Sequence, residues 1–211
     1  MQFDAVERAQ LCDLFDELGP DAPTLLAPWT TRDLAAHLVV REHDPIAAPG
    51  LVLPGAWGRL GERHRLAQKT RPFDELVATV RSGPPRGFFR LGWVRRVANL
   101  NEFFVHHEDV RRANGRVAPR VHPPGEEDAL WKNAVHARWL LARRLRDVSL
   151  ELAWPDADRV VRTRGDRPIV RVSGPPGELL LFLFGRVDAA AVDITGPSEA
   201  VEAVQITHFG M

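Results

Sequence analysis

NEFFVHHEDV, at residues 101–110, is the most informative stretch of this chain. On a helix each residue advances by about 100°, so Glu102, His106 and Asp109 fall on one face among small apolar residues. The opposite face carries the charged residues that we expect to meet water: Glu108, Arg111 and Arg112. Buried charge is costly unless it is paired or bound to a metal ion, so the polar group on the first face requires partners.

Glu102 and His106 have the spacing of two ligands of one divalent ion. At i and i+4 their carboxylate oxygen and imidazole nitrogen lie one helical turn apart. Such pairs also arise freely on solvated helices, so the pair alone is a weak signal. His37, on the apolar face of an earlier helix, offers a third ligand, although by itself it is better explained as a core histidine bonded to a carbonyl or carboxylate. Three protein ligands would leave coordination positions for water or substrate, as in catalytic sites.

Helical periodicity of the apolar residues dominates the first two-thirds of the chain. Thr30, with Asp33 three residues later, has the pattern of a capping box at the start of the helix that carries His37. Residues 44–58 contain three prolines and three glycines and predict a loop. The helices are predicted over 4–18, 30–43, 59–70, 73–82, 95–114 and 126–146. Together they predict an up-down helical bundle at residues 1–146.

Beyond Asp147 the apolar pattern changes to the period of two that is typical of β-strands. Strands are predicted over 150–154, 160–163, 169–173 and 191–195, and helices from Pro175 onward and over 197–204. The helix over 179–184 is apolar on every side, which predicts burial, and Gly185 is its expected C-terminal cap. We therefore predict an α+β protein in which a small α+β domain, residues 147–211, follows the bundle.

The composition excludes several classes of protein. Lys and Arg number 28 and so do Asp and Glu, a net charge of zero, whereas nucleic-acid-binding proteins normally carry a basic excess. Cys12 is the single cysteine, which excludes an intramolecular disulfide and a multi-cysteine metal cluster, and its helical position predicts packing as a small hydrophobe. The longest apolar run, 179–184, is far shorter than the roughly 20 residues of a membrane span, and the charged first residues are unlike a signal peptide. We expect a cytoplasmic protein that binds neither nucleic acid nor membrane.

Two motifs resemble those of a known protein family. WTTRDLAAHL at 29–38 and the E-x-x-x-H-x-x-D spacing of 102–109 together resemble the motifs of DinB-like and mycothiol-dependent maleylpyruvate isomerase N-terminal domains. The resemblance implies a DinB-like helical bundle. It also implies a divalent metal, usually zinc, bound by His37, Glu102 and His106.

Two further segments extend the resemblance. Residues 103–113 are similar to an actinobacterial branch of DinB-like metal-binding proteins, and GPPGELLLFLFGR at 174–186 resembles the sterol-carrier-like second domain of the isomerases. Arg186 follows the glycine cap of that helix and could bind the carboxylate of a thiol cofactor or substrate, because the arginine fork matches carboxylates. An exposed arginine without such a role is the simpler explanation.

Three hypotheses about function follow. The first is a thiol-dependent isomerase or transferase, in which the metal holds mycothiol or a similar small thiol beside an electrophilic substrate. The second is a metal-dependent hydrolase, with Asp109 or His107 as the local candidates for a general base. The third is a non-catalytic protein that binds metal or an apolar ligand. Asp109 has a further possible role as the acceptor that orients a metal-bound histidine, and His107 is expected to be exposed. We expect a monomer or homodimer, and no catalytic side chain is assigned.

Overall fold

The structure is a computed structural model that describes residues 2–51, 53–85, 87–142, 144–145, 147–163 and 165–207, with backbone only at 140–142. Its contacts divide the chain into two units, Met1–Val117 and Ala118–Met211. The first is helical and the second contains a four-stranded sheet, which confirms the predicted α+β class. Among the described residues, no helix combines the length and the apolar composition needed to cross a membrane.

The first unit consists of helices that begin and end close to the predicted positions. They are α1 (Phe3–Leu18), α2 (Thr31–His43), α3 (Ala56–Lys69), α4 (Phe73–Ser82), α5 (Gly92–Val94) and α6 (Leu100–Ala113). A π-helical turn at Arg95–Asn99 joins α5 to α6, so these residues form one continuous helical segment. The predicted loop at 44–58 is shorter than expected, because a 3-10 turn at Ala48–Leu51 and the first residues of α3 lie within it.

One hydrophobic core is shared by four of these helices. Its buried residues come from α1, α2, α4 and α6: Leu11, Cys12, Leu14, Phe15, Leu34, Ala35, Ala36, Leu38, Val39, Leu76, Val77, Val80, Phe103 and Val110. Cys12 has no exposed surface, and burial raises the pKa of its thiol to about 12. This confirms that Cys12 packs as a small hydrophobe, and a thiol with that pKa is a poor nucleophile at neutral pH.

Helix α6 is buried on nearly every side, so the expectation of a solvent-exposed face was wrong. Glu108 is 1% exposed and Arg112 is 6% exposed. Glu108 accepts hydrogen bonds from Arg111 at 2.8 Å and from Arg112 at 2.7 Å. Because these partners lie one turn further along the same helix, the charge of Glu108 is compensated locally and can be buried.

Asp33 fixes the start of α2 and attaches α3 to it. Its carboxylate accepts the backbone N–H of Thr30 at 3.1 Å, which completes the predicted capping box. The same carboxylate accepts hydrogen bonds from Arg65 at 2.6 Å and Lys69 at 2.8 Å. Burial by itself would raise the pKa of Asp33, but the bonds from Lys69, Arg65 and Thr30 outweigh burial and lower the pKa from 3.8 to about 2.

Replacing Asp33 with Asn is expected to lower the free energy of unfolding at pH 7 by about 2 kcal/mol, since one pKa unit corresponds to about 1.4 kcal/mol. Because folding lowers the pKa of Asp33, the ionised carboxylate stabilises the fold fully above its unfolded-state pKa, near 4. This stabilisation is lost as the pH falls toward the folded-state pKa, near 2. The difference between variant and wild type should therefore shrink in acid, as urea unfolding measured from pH 7 down to pH 3 would show. Asp74→Asn, at an exposed position in the first turn of α4, is the matched control. An equal loss in that control would contradict the role of Asp33.

The second unit combines a mixed sheet with helices. Its described elements are α7 (Glu126–Ala142), β1 (Ser149–Trp154), β2 (Arg159–Arg162), β3 (Ile169–Ser173), α8 (Pro176–Leu183), β4 (Asp193–Thr195) and α9 (Ser198–Ile206). The strand order is β2-β1-β3-β4, with β1 and β3 parallel and the two outer pairs antiparallel. Fully buried pairs such as Leu150 with Val170 fix the parallel register. Helix α8 is buried along its length, as its apolar sequence predicts.

Helix α7 belongs to the second unit, which corrects the domain boundary predicted between residues 146 and 147. It packs against α8 and β1, and the ring of Trp131 lies 6.1 Å from that of Trp154. The contacts therefore divide the chain after Val117. The change in apolar periodicity at Asp147 marks the first strand of the second unit, whereas the unit itself begins earlier, at Ala118. The predicted end of the helix, at 146, lies outside the described residues.

Candidate metal centre

Two histidines from different helices meet at one oxygen of Glu102. His37, on α2, places its Nε2 3.0 Å from Glu102 Oε1. His106, one turn after Glu102 on α6, places its Nε2 3.3 Å from the same oxygen. One ligand atom from each of the three residues lies within 4.8 Å of the other two. The structure thus brings together the three residues that the motifs single out.

The donor set and its spacing fit a tetrahedral divalent ion. Zinc holds histidine nitrogens and carboxylate oxygens at about 2.0–2.2 Å, which places two such ligand atoms roughly 3.3 Å apart in a tetrahedron. The separations of 3.0 and 3.3 Å are close to that value. The side chains of His37, Glu102 and His106 keep 14%, 18% and 11% of their surface exposed, so the site is in contact with solvent. Such a set can hold one ion and leave a coordination position open.

Asp109 holds the outer nitrogen of His106. Its Oδ2 lies 2.9 Å from His106 Nδ1, and the residue has no exposed surface. With the proton on Nδ1, the lone pair of Nε2 is directed toward Glu102. This carboxylate–histidine arrangement is the one that orients metal ligands in proteins, and it is the role considered for Asp109 from the sequence.

Arg41 is part of the site although neither motif points to it. Its Nε lies 3.3 Å from Glu102 Oε2, and its amino groups donate to Asn99 Oδ1 at 3.1 Å and to the Ala98 carbonyl at 3.3 Å. Because Arg41 occupies Oε2, Glu102 presents Oε1 alone to the two histidines. Arg41 lies four residues after His37 on α2, and that helical spacing is the signal that could have found it.

The pKa values of the site reflect a balance between burial and neighbouring charge. Burial by itself would raise the pKa of Glu102, but Arg41 and then the two histidines lower it well below its ordinary value. Burial lowers the pKa of His37, and Glu102 offsets this only in part. For His106, burial would lower the pKa, but Asp109 and Glu102 outweigh burial and raise it. The site therefore keeps an ionised carboxylate beside a neutral His37, the forms that bind metal, whereas the raised pKa of His106 favours a protonated ring that must lose a proton when metal binds.

Trp29 positions the ring of His37 by packing. The two ring centroids are 5.4 Å apart with the planes tilted by 52°, and the Arg65 guanidinium lies 4.7 Å from the Trp29 centroid. His37 Nδ1 is buried and has no hydrogen-bond partner among the described residues. His37 is thus held by Trp29 and Glu102, whereas His106 has a carboxylate at each ring nitrogen.

Comparisons with known proteins identify no family. No protein-family model, curated protein or solved structure matches the chain. The function is therefore argued from the site and its motifs.

Two other histidines have partners that the sequence did not indicate. His107 is 6% exposed, with its Nδ1 2.8 Å from Glu7 Oε2, so its expected exposure was wrong. The physical reason is that α1 packs along α6 and covers this side of it. His64, at 2.5 Å from Asp44 Oδ2, also has a carboxylate partner. Both are contacts between residues far apart in sequence, which helical spacing cannot predict.

Arg186 lies in the second unit, directly after the glycine that ends α8. Its backbone N–H donates to the Leu181 carbonyl at 3.0 Å, and its guanidinium donates to the Phe184 carbonyl. Gly185 has a φ of 84°, as expected for a C-terminal cap. The cofactor-binding role of Arg186 stays a prediction.

Proposed function

We propose that the chain binds a divalent metal, with zinc as the preferred ion, through His37, Glu102 and His106, and that it is a thiol-dependent isomerase or transferase. The thiol would be a small molecule such as mycothiol, and the second substrate an electrophile. The resemblance of residues 29–38 and 102–109 to DinB-like and mycothiol-dependent isomerase domains supports both parts. By the same resemblance we propose a DinB-like bundle in the first unit and a sterol-carrier-like fold in the second.

The convergence of two Nε2 atoms on Glu102 Oε1 carries the proposal. Two histidines with one carboxylate form a ligand set used by catalytic zinc sites. Arg41 already compensates the charge of Glu102, so the carboxylate does not need a second histidine for its own burial. A bound cation explains why both histidines point at it.

Each residue of the site has a separate task. A bound divalent ion would lower the pKa of a coordinated thiol and so supply a thiolate at neutral pH. Asp109 holds the Nδ1 proton of His106, and Arg41 restrains the second oxygen of Glu102. Cys12 is buried with a raised pKa, so the nucleophile is expected to come from solution.

A metal-dependent hydrolase receives less support. Water activation requires a general base next to the open coordination position. Asp109 is buried and bonded to His106, and His107 is buried and bonded to Glu7. Both local candidates for the base therefore already have another partner.

A non-catalytic protein that carries an apolar ligand is the other alternative. The apolar residues of α8 would suit such a role if they lined a ligand site. The side chains of Leu179, Leu180, Leu181, Phe182 and Leu183 are at most 4% exposed, so they form part of the core of the second unit. Metal binding is common to this alternative and to the thiol-dependent enzyme, so thiol binding is what separates them.

Zinc content and thiol binding, measured on the same purified full chain, test the proposal. We expect one zinc ion per chain, zinc-dependent saturable binding of mycothiol, and turnover with an electrophile such as maleylpyruvate or monochlorobimane. Zinc without thiol binding would favour the non-catalytic alternative, and turnover of an ester or amide alone would favour the hydrolase. A chain that binds no divalent ion would overturn the proposal.

A further inference from the structure

A cavity of about 220 Å³ opens on the first unit, between the start of α1, the end of α4 and the residues that precede α6. No ligand of the proposed metal centre lines it. Its lining holds four arginines, Arg8, Arg81, Arg90 and Arg95, and one acid, Asp4. Arg8 and Arg81 are paired with acids that lie outside the lining, Glu42, Asp13 and Asp16, so the cavity is marked by its unused N–H donors and not by excess charge. These donors, separate from Glu102, point to a second binding site.

Arg8 contributes a donor that none of the described residues uses. Its two amino groups bond to the carboxylate of Glu42 at 2.5 and 2.6 Å, and one of them also donates to the Val80 carbonyl at 2.8 Å. Its Nε has no acceptor within the described part of the chain, although the side chain is only 7% exposed. Gly83 stands beside this atom, and a Cβ there would lie 3.8 Å from Nε. The absence of a side chain at Gly83 leaves space next to the unused donor.

The single acid of the lining is neutralised. Asp4 is bonded at both oxygens by Arg95, through Nε at 2.8 Å and Nη2 at 3.0 Å. Arg95 Nη1 remains without an acceptor among the described residues. Arg90 is exposed, and none of the described residues accepts a hydrogen bond from its guanidinium. An anion in the cavity would therefore meet unused donors and little net repulsion from Asp4.

We propose that this cavity binds the phosphate group of a small ligand, with Arg8, Arg90 and Arg95 as its donors. Hydrogen bonds between arginine and an oxyanion are charge-assisted and among the stronger ones in proteins. A tetrahedral phosphate can accept bonds from several directions at once, which suits donors that come from three separate positions on the lining. Ala9, on the exposed face of α1, lines the cavity with a small side chain that leaves room for a ligand.

Aromatic side chains beside the cavity indicate that the phosphate carries an apolar body. Phe89 lines the cavity, and Phe88 packs edge-on against it at 5.4 Å. Phe88 and Trp93 are 55% and 57% exposed and lie 5.5 Å apart. Exposed aromatic groups next to an anion site suit either a soluble organic phosphate or the headgroup of a phospholipid. Both ligands share the phosphate chemistry of the proposal.

Binding of inorganic phosphate, glycerol phosphate and phosphatidylcholine vesicles that contain phosphatidic acid tests the proposal on the full chain. We expect saturable binding of at least one of these probes, weakened about tenfold or more in Arg90→Gln, because a charge-assisted donor is lost. Arg63→Gln, at an exposed position of α3, removes the same charge elsewhere and should leave binding unchanged. Binding of the soluble probes assigns a soluble ligand, and binding of the vesicles alone assigns a headgroup.

A second pair of variants tests the cavity itself. Ala9→Leu fills it and should abolish binding, whereas Ala78→Leu makes the same change at an exposed position of α4 outside the lining. Thermal unfolding without ligand should be alike in both variants. Binding of none of the probes, or equal losses in Arg63→Gln and Arg90→Gln, would overturn the proposal.

Discussion

Replacing His37 with alanine is expected to abolish stoichiometric zinc binding. The variant keeps Glu102 and His106 on one turn of α6 but loses the ligand that α2 contributes. Two ligands hold zinc poorly, so the loss of affinity should exceed the 10- to 100-fold that removal of an outer partner costs. Equilibrium dialysis against zinc, followed by metal analysis, measures the result.

The matched control for His37→Ala removes another histidine of the same unit. His64→Ala breaks the contact with Asp44 and leaves the three proposed ligands in place, so it should still bind one zinc ion. Thermal unfolding establishes that both variants fold. If a folded His37→Ala protein keeps the zinc content of the wild type, the assignment of the ligands is wrong.

Asp109→Asn gives an intermediate result that a generic histidine cluster would not show. It retains all three ligands and changes only the group that accepts the Nδ1 proton of His106. Outer carboxylates of this kind contribute about 10- to 100-fold to metal affinity, so zinc binding should weaken by that factor without being lost. An affinity equal to that of the wild type would show that Asp109 does not orient the ligand.

The helices and the one-turn spacing of Glu102 and His106 were predictable because their signals are local. Apolar periodicity and the capping box at Thr30 placed α2, and the spacing of Glu102 and His106 on α6 depends only on helical geometry. The convergence of α2 and α6 was not a local signal. The inward helical face of His37 and the resemblance to known motifs made it the candidate third ligand, and the structure brings it to Glu102.

The remaining features depend on which elements pack together. The partner of His107 is Glu7, on α1, and nothing in the sequence near His107 indicates that α1 covers it. The same reason explains α7: its amphipathic pattern predicts a helix but not whether it packs on the bundle or on α8. Arg41 is the exception, because its place one turn after His37 was visible in the sequence.

Replacing Glu42 with Gln is expected to lower the free energy of unfolding by about 3–5 kcal/mol, the cost of leaving a buried charge unpaired. The Glu42 side chain has no exposed surface, and it bonds to both amino groups of Arg8 at 2.5 and 2.6 Å. Arg8 is itself only 6% exposed, with its guanidinium 4.0 Å from the Phe103 centroid, so water has little access to replace Glu42 at its two amino groups. Urea unfolding at pH 7 measures the loss.

Asp16→Asn is the control that shows whether burial or a short bond length determines the loss of stability. Asp16 bonds to Arg81 at 2.6 Å, as short as the bonds of Glu42, but its side chain is 58% exposed. Water replaces the lost partner there, so the loss should stay within about 1 kcal/mol. Equal losses in the two variants would show that burial does not decide the cost.

The Glu42→Gln substitution should also weaken zinc binding at the proposed metal centre. Glu42 lies 3.6 Å from Arg41, and Arg41 in turn restrains Oε2 of Glu102. With Glu42 neutral, the positive charge of Arg41 is balanced by Glu102 alone, which strengthens their contact and competes with a cation at Oε1. Zinc affinity should therefore fall in folded Glu42→Gln protein and remain unchanged in Asp16→Asn. Because none of the three proposed ligands bonds to Glu42, this result would show that the buried ion pair and the metal centre are coupled electrostatically.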